Sequence, residues 1–411
     1  MQITLFDPRR WHIGTSFILV TAGLRAGVIS LSAIVLGLRL AQIGASPAEI
    51  GGTVAVGMAA NALSAALLAW QGQRAAQPRV LIALAVASGL GLLLLAGTRE
   101  PLLILAAAFL GMVNGMGRDR GGAQAIEQAI LANATPPHRR TATFVRYTVA
   151  QDVGGALGAL AAGLAPWIQR QAGFAAPPYS ALLAAGGALM LISAFLYAPL
   201  PRIAASAQAL PRISPESRRR IAGLSGLFAL DSLGGGFLAG TLLTYWFFER
   251  FALSAAAIGS VFFAARVLNA GSYFLAESLA RRIGLVRTMV YTHLPTSVML
   301  FALPWMPTAF WAVALFLLRE SLVQMDVPAR QSYVTAVVAP HERAAALGFT
   351  NLVRYVGWAV GPALAGLSMS WAGLSAPLMV GALLKAAYDL ALFVSFRTVR
   401  PPEELAHDRV G

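Results

Sequence analysis

Of the 411 residues, 57% are hydrophobic and 12% are charged, and the formal net charge is +14. Soluble domains carry about 25% charged residues, so this composition excludes a soluble globular protein and indicates that most of the chain lies in lipid. The absence of cysteine excludes disulfides, thiolate metal sites and cysteine nucleophiles.

Apolar runs recur along nearly the whole chain. The N-terminus, MQITLFDPRRWHIGTSF, lacks the ordered regions of a signal peptide, so we expect the first span to be retained. A helical span needs about 20 mainly apolar residues. We therefore predict twelve spans, at 13–41, 47–70, 79–97, 102–133, 141–168, 179–199, 222–248, 255–280, 287–305, 309–337, 343–371 and 376–397.

Basic residues set the predicted orientation. With both termini cytoplasmic, eighteen of the 31 Lys and Arg residues lie on the cytoplasmic side. Four lie outside, namely Arg39, Arg99, Arg170 and Arg250, and the remaining nine fall within spans. Cytoplasmic loops are rich in Lys and Arg, so the excess positive charge indicates a membrane protein of the cytoplasmic (inner) membrane rather than a nucleic-acid-binding one.

A polar stretch divides the chain near its midpoint. It runs from Pro199 to Arg220 and ends in three arginines, which favour contact with anionic lipid over RNA. We predict an N-terminal six-helix half at 1–199, a cytoplasmic linker at 200–221, a C-terminal six-helix half at 222–397 and a cytoplasmic tail at 398–411.

An internal repeat supports this division. At an offset of 208 residues, Asn61 aligns with Asn269 and Arg74 aligns with Arg282. At an offset of 203 residues, three glycines of the first half align with three of the second, namely Gly154, Gly158 and Gly163 with Gly357, Gly361 and Gly366. Duplicated halves of a transporter usually enclose the substrate site near the bilayer midplane.

These features resemble the major facilitator superfamily over the whole chain. The family carries Gly-x-x-x-Asp-Arg-x-Gly-Arg-Arg between its second and third spans, whereas here Gln73 precedes Arg74, and Arg281 precedes Arg282 in the second half. The resemblance implies an all-α membrane protein of twelve transmembrane helices in two pseudo-symmetric six-helix bundles, with Arg74 and Arg282 in gating loops. The missing Asp makes the cytoplasmic latch of the family an open question for this chain.

Glycines at four-residue spacing mark two spans. Gly154 and Gly158 lie in the fifth span, and Gly357, Gly361 and Pro362 lie in the eleventh. The second group resembles the Gly-x-x-x-Gly-Pro motif of drug:proton antiporters, which those proteins carry in the fifth span instead. Small residues let helices approach closely in lipid, so tight packing is the favoured interpretation and a hinge the alternative.

The charges inside the predicted spans are the candidate functional residues. An ionised side chain at mid-bilayer costs about 3 kcal/mol, so each should face a partner or water. Arg25 in span 1 and Asp231 in span 7 are related by the repeat at an offset of 206, and the resemblance places both spans at the substrate cavity. We predict that Asp231 is the proton- or substrate-sensitive acid with which Arg25 pairs alternately; a permanent ion pair is the alternative.

Two further spans concentrate charge. Span 4 contains Arg118-Asp119-Arg120, of which helical geometry lets two face the cavity, and we favour Arg118 and Asp119. Span 10 contains Arg319-Glu320 and then Asp326 four residues before Arg330, a spacing that favours a pair along one helix face.

Three other features complete these candidates. Pro328 should disturb the helix of span 10, and we predict a bend there that faces the cavity. Lys385 and Asp389 have the same four-residue spacing as Asp326 and Arg330, and we expect them to form an ion pair with a structural role. Arg266 is a candidate substrate contact.

The functional prediction is a monomeric secondary active transporter that works by alternating access. It is coupled to protons and moves a small organic solute, anionic or amphipathic, with export favoured over import. The alternatives are an importer of a sugar or carboxylate, and a non-transporting sensor or lipid flippase with the same fold. No nucleotide-binding motif or nucleophile elbow occurs, so we expect no enzyme activity, no cofactor, no metal and no nucleic-acid partner.

Overall fold

A computed structural model describes residues 8–71, 77–136, 139–171, 177–200, 214–339 and 342–396. Within these ranges the regular secondary structure is entirely helical. The α-helices are α1 (Pro8–Gln42), α2 (Pro47–Gln71), α3 (Pro78–Gly97), α4 (Pro101–Leu110), α5 (Gly122–Ala134), α6 (Arg140–Ala161), α7 (Ala165–Arg170), α8 (Pro178–Tyr197), α9 (Pro215–Gly236), α10 (Gly240–Phe251), α11 (Ala255–Ile283), α12 (Leu285–Ala302), α13 (Ala309–Val323), α14 (Asp326–Ala336), α15 (Arg343–Ala372) and α16 (Ala376–Phe396).

The predicted all-α fold is confirmed, with breaks inside several spans. Joining α4 to α5, α6 to α7, α9 to α10 and α13 to α14 groups the described helices into twelve segments that match the twelve predicted spans. Seven helical segments of the described residues are long and apolar enough by themselves to cross a membrane. The helix of span 7 begins at Pro215, seven residues before the predicted start of that span.

Local sequence signals explain many helix ends. Proline stands at the first turn of α3, α4 and α8, where its missing N–H costs nothing. Before α2, Ser46 and Glu49 form a reciprocal capping box, in which the Ser46 amide donates to Glu49 at 2.7 Å. Gly284 and Gly373 have φ of 84° and 101°, and this left-handed region lets the chain turn sharply between successive helices.

The described chain divides into two compact units, each with the same internal packing. The first comprises Met1–Ala45, Val56–Gln208 and Ser254–Phe263, and the second comprises Ser46–Ala55, Ala209–Leu253 and Ala264–Gly411. In the first unit, α1 packs against α6 and α8, and α3 packs against α8. In the second, α9 packs against α15 and α16, and α12 packs against α16. These are the repeat-equivalent helices, so the sequence repeat is also a repeat of packing within each unit.

The glycines predicted to pack helices lie at close backbone contacts. A Cβ on Gly154 or Gly158 of α6 would lie 2.0 Å from the carbonyl oxygen of Gly23 or Gly27 of α1. In the second unit, Cβ atoms on Gly357 and Gly361 of α15 would lie 2.8 Å and 2.6 Å from backbone atoms of α9, and Pro362 lies inside α15. A side chain would have to separate each helix pair, which is why glycine is needed there.

The fourth span is interrupted. Residues 111–121, between α4 and α5, are not helical, and Met112 and Gly117 have φ of 46° and 75°. The Asn61 amide donates to the Met112 carbonyl at 2.5 Å, and the Asn114 amide donates to the Arg118 carbonyl at 2.7 Å. Side-chain amides thus satisfy backbone groups that lipid could not.

Candidate functional site

The first unit buries an ion cluster around Arg25 of α1. Its Nε donates to Asp119 Oδ2 at 2.8 Å, and its two terminal nitrogens donate to the two carboxylate oxygens of Glu127 at 2.7 Å and 2.5 Å. The Glu127 side chain is fully buried and the other two side chains are 5–6% exposed. A bidentate guanidinium–carboxylate pair is among the strongest hydrogen-bonded geometries in proteins, so Arg25 joins α1 firmly to the interrupted span 4.

Two tyrosines and a glutamine complete this cluster. The hydroxyls of Tyr147 on α6 and Tyr197 on α8 donate to Glu127 at 2.7 Å and 2.5 Å. Gln151, also on α6, donates to Asp119 Oδ2 at 2.9 Å. Three helices, α1, α6 and α8, therefore donate hydrogen bonds to two buried carboxylates, against which Arg25 supplies one positive charge.

The second unit buries a larger network around Asp231 of α9. One carboxylate oxygen, Oδ1, accepts from Lys385 Nζ of α16 at 2.8 Å. The other, Oδ2, accepts from Arg354 of α15 at 3.3 Å and from Arg330 of α14 at 3.4 Å. Arg330 also forms the predicted pair with Asp326 along α14, at 2.8 Å. One carboxylate thus has three cations around it, and it can form each pair only while it is ionised.

A histidine extends the network to a second carboxylate. His293 of α12 places Nδ1 at 2.9 Å from Asp389 Oδ1, and its Nε2 lies 3.4 Å from Lys385 Nζ and 3.8 Å from Asp231 Oδ1. In the structure Lys385 and Asp389 therefore have other partners and do not form the predicted pair with each other. The reason is that His293 lies between them and satisfies both.

The two clusters carry inverted charges at positions related by the repeat. Arg25 and Asp231 are equivalent at an offset of 206, and Glu127 and Arg330 are equivalent at an offset of 203. In the first unit the first helix contributes the cation and span 4 the carboxylate. In the second unit the first helix contributes the carboxylate and span 10 the cation. Each of the two residues thus has partners inside its own unit, and the alternate pairing of Arg25 with Asp231 stays a prediction.

Span 10 contains a second polar group. Arg319 of α13 contacts the adjacent Glu320, and Glu320 accepts from the Asn269 amide of α11 at 2.9 Å. Two buried atoms here, Arg319 Nε and Asn269 Oδ1, have no hydrogen-bond partner among the described residues. The helix breaks at residues 324–325, three residues before Pro328, so the predicted disturbance is confirmed, whereas a cavity-facing bend stays a prediction.

The remaining predicted residues are dispersed. Arg118 and Asp119 lie in the irregular segment of span 4, so the premise that residues 118–120 form a helix is wrong, and Asp119 belongs to the first cluster. The backbone turns there because of the positive φ angles described above. Arg266 is half-buried on α11, Arg282 is exposed near the end of α11, and Arg74 lies outside the described residues.

Sequence reasoning missed several members of the clusters. His293, Tyr147, Tyr197 and Gln151 were not singled out, because uncharged polar residues in an apolar span are common and costly only when unpaired. A lone histidine within an otherwise apolar span was the signal available for His293.

A cavity opens beside the first cluster, within the first unit. It has a volume of about 670 Å³ including space open to solvent, and its walls come from α1, α2, α3, α8, the interrupted segment of span 4 and the start of α5. Arg25 and Asp119 lie at its polar side, and leucine, valine, isoleucine and methionine side chains form much of the rest.

The helical spans, the duplicated packing and the buried charge clusters define a multi-pass membrane transport protein. The chain belongs to the Major Facilitator Superfamily, whose family model matches residues 17–325.

The comparisons also found similar individual proteins. The uncharacterized membrane protein YJR124C of Saccharomyces cerevisiae is 24% identical over 375 residues, which cover 81% of this chain and 83% of that protein. Among solved structures, the nucleoside transporter NupG matches with a TM-score of 0.72 at 15% identity, over 93% of this chain and 98% of that one. The D-xylose-proton symporter matches with a TM-score of 0.67 at 16% identity, over 94% and 96%. At these identities the structural matches establish the fold.

Proposed function

We propose that this protein is a proton-coupled secondary active transporter of a small organic solute that works by alternating access. Membership of the superfamily and the likeness to a sugar–proton symporter support secondary transport. We further propose that it resides in the cytoplasmic membrane with both termini inside, as the distribution of arginines indicates.

The observation that carries proton coupling is the network around Asp231 and His293. Its fixed charges balance, because three carboxylates (Asp231, Asp326 and Asp389) face three cations (Arg330, Arg354 and Lys385). The imidazole ring of histidine can take up a second proton and so become a cation. A proton on His293 therefore adds one net charge to a buried network that is otherwise neutral.

The geometry suggests how that proton would act. In neutral His293, Nδ1–H donates to Asp389 and Nε2 accepts from the Lys385 ammonium, which satisfies both ring nitrogens. A proton on Nε2 would oppose the ammonium, and Nε2–H would then compete with Lys385 for Asp231 Oδ1, which lies 3.8 Å away. We propose that this exchange releases Lys385 from α9 and thereby couples protonation to helix movement.

The pairing of the buried arginines bears on the class of substrate. Anionic solutes were favoured because of the arginines within spans, but Arg25, Arg330 and Arg354 are held by carboxylates. Their charge is therefore not free for an anion, and we retain the amphipathic class. Export stays the proposed direction, supported by the likeness of Gly357–Pro362 to the antiporter motif.

Import of a neutral nutrient is a second candidate. The cavity of the first unit combines apolar walls with hydroxyl and amide groups, which suits uncharged polar solutes. Two of the similar structures are a nucleoside transporter and a sugar symporter.

Transport by reconstituted protein tests the coupling proposal. A thermal-shift panel of nucleosides, sugars, carboxylates and amphipathic cations at pH 6 and pH 8 first identifies a stabilising solute, since a ligand that binds the folded state raises its stability. Proteoliposomes then measure movement of that solute with and without an imposed pH gradient.

We expect Asp231→Asn and His293→Gln to abolish gradient-driven accumulation while equilibrium exchange continues. Glu249→Gln, which alters an exposed carboxylate at the end of α10, is the matched control. Gradient-driven accumulation that persists in both network variants would contradict the proposal.

A further inference from the structure

The cavity inside the first unit contains polar groups that the protein itself leaves unsatisfied. Ser32 of α1 is 3% exposed and lines the cavity, and its hydroxyl has no hydrogen-bond partner among the described residues. A buried hydroxyl without a partner costs free energy, so its presence in a cavity wall indicates a hydrogen bond to a ligand or to water.

A second feature of the same cavity is the start of α5. Gly121, Gly122 and Ala123 line the cavity, and no side chain in the described structure caps this helix start. The first N–H groups of an α-helix lack partners within the helix and favour acceptor atoms. Gly122 packs closely against α2, since a Cβ there would lie 2.4 Å from the end of the Leu68 side chain and 3.6 Å from the backbone of Ser64. The helix start is thus held against α2, with its donors at the cavity.

The third feature is Asp119. Both hydrogen bonds that the described residues make to this carboxylate fall on Oδ2, from Arg25 and Gln151. Oδ1, which accepts no hydrogen bond from the part of the chain that the structure describes, can accept one from a ligand in the cavity. Every nitrogen of Arg25 is already occupied by Asp119, Glu127 or a tyrosine, so Arg25 positions Asp119 rather than binding a ligand itself.

We propose that this cavity is a binding site for a neutral, amphipathic small molecule that bears hydroxyl or amide groups along one edge. Its acceptor atom would meet the start of α5, its donor would meet Asp119 Oδ1, and Ser32 would bond either kind of group. A free anion is disfavoured because Asp119 and Glu127 exceed Arg25 by one formal negative charge. That the bound molecule is the transported solute rests on the function proposed above; the binding itself does not.

Binding to purified full-length protein tests the site. Uridine and glucose serve as neutral probes, succinate as an anionic probe and tetraethylammonium as a cationic probe, each measured by thermal shift and by equilibrium binding. We expect at least one neutral probe to bind and neither charged probe to bind as tightly. Preferential binding of succinate or tetraethylammonium, or no binding by either neutral probe, would overturn the proposal.

Variants locate the binding. Ser32→Ala should weaken binding of the neutral probe by roughly two- to tenfold, the range of one hydrogen bond, and Ala123→Leu should abolish it by filling the cavity. Ser180→Ala is the matched control, because this hydroxyl on α8 is also buried and unpartnered among the described residues but does not line the cavity. The melting temperature of each variant without ligand reports whether it folds, and unchanged affinity in a folded Ala123→Leu protein would overturn the site.

The two proposals fail separately. If a neutral probe binds through Ser32 but its movement ignores an imposed pH gradient, the site stands and proton coupling fails. If transport responds to the gradient while Ala123→Leu leaves affinity unchanged, coupling stands and the site fails.

Discussion

Replacing Arg25 by methionine tests the energetics of the first cluster. The substitution keeps a long apolar side chain but leaves two carboxylates, Asp119 and Glu127, buried without their cation. Breaking a buried ion pair from one side typically costs about 3 to 5 kcal/mol, because an uncompensated charge stays behind. The cost here should reach the upper part of that range, since one guanidinium serves both carboxylates.

The assay is the thermal stability of the purified protein in detergent, with Arg39→Met as the matched control. Arg39 is also a buried arginine of α1, but it donates to the carbonyl oxygens of Ala96 and Thr98, at 3.3 Å and 3.0 Å, rather than to an acid. Removing it leaves no buried charge, so we expect a loss of about 1 to 2 kcal/mol.

A double variant makes the test quantitative. Arg25→Met combined with Glu127→Gln removes the cation together with one of its acids, so the combined loss should fall short of the sum of the single losses by about 2 kcal/mol or more. Strictly additive losses, or an Arg25→Met protein as stable as Arg39→Met, would refute the assignment of Arg25 as the counter-charge of this cluster.

Two further predictions concern packing and pH. Gly158→Ala places a Cβ 2.0 Å from a backbone oxygen of α1 and should destabilise the protein by about 1 to 3 kcal/mol. In the control Gly226→Ala, the new Cβ has no atom within 4 Å, and the substitution should stabilise the protein by about 0.5 to 1 kcal/mol. Equal melting temperatures of the two variants would contradict the packing argument. At the start of α15, hydrogen bonds from the Ser217 side chain and the Ser214 amide lower the pKa of Glu342 from 4.5 to about 2. Because the folded-state pKa is the lower one, this stabilisation is complete above about pH 4.5 and is lost as the pH falls towards 2; the melting temperature of Glu342→Gln should therefore fall less than that of the wild type between pH 5 and pH 3.

Local patterns in the sequence determined the architecture. Apolar runs of spanning length, arginines clustered between those runs and the repeat predicted a duplicated helical membrane protein, because each of these signals comes from residues close together or at a constant offset. The Asp326–Arg330 contact was predictable for the same reason, since four residues along a helix bring side chains onto one face.

Only the tertiary structure decided which charges meet. Arg25 binds partners 94 and 102 residues away along the chain, and Lys385 binds Asp231 across 154 residues. Such contacts depend on how helices pack, which helical periodicity does not specify. The sequence required every buried charge to find a partner, but the choice among many possible partners, including His293, was made by packing.

The interruption of span 4 also depends on both the local sequence and the tertiary structure. Residues 111–121 contain four glycines and the charged run Arg118-Asp119-Arg120, but no proline between residues 102 and 135 marks a break. The break is stabilised by the distant Asn61 amide on α2 and by the close approach of Gly122 to that helix. An irregular backbone inside a membrane protein forms only where the surrounding structure satisfies its polar groups, so the glycine- and charge-rich sequence permitted the break, whereas contacts with neighbouring helices decided where the cavity opens.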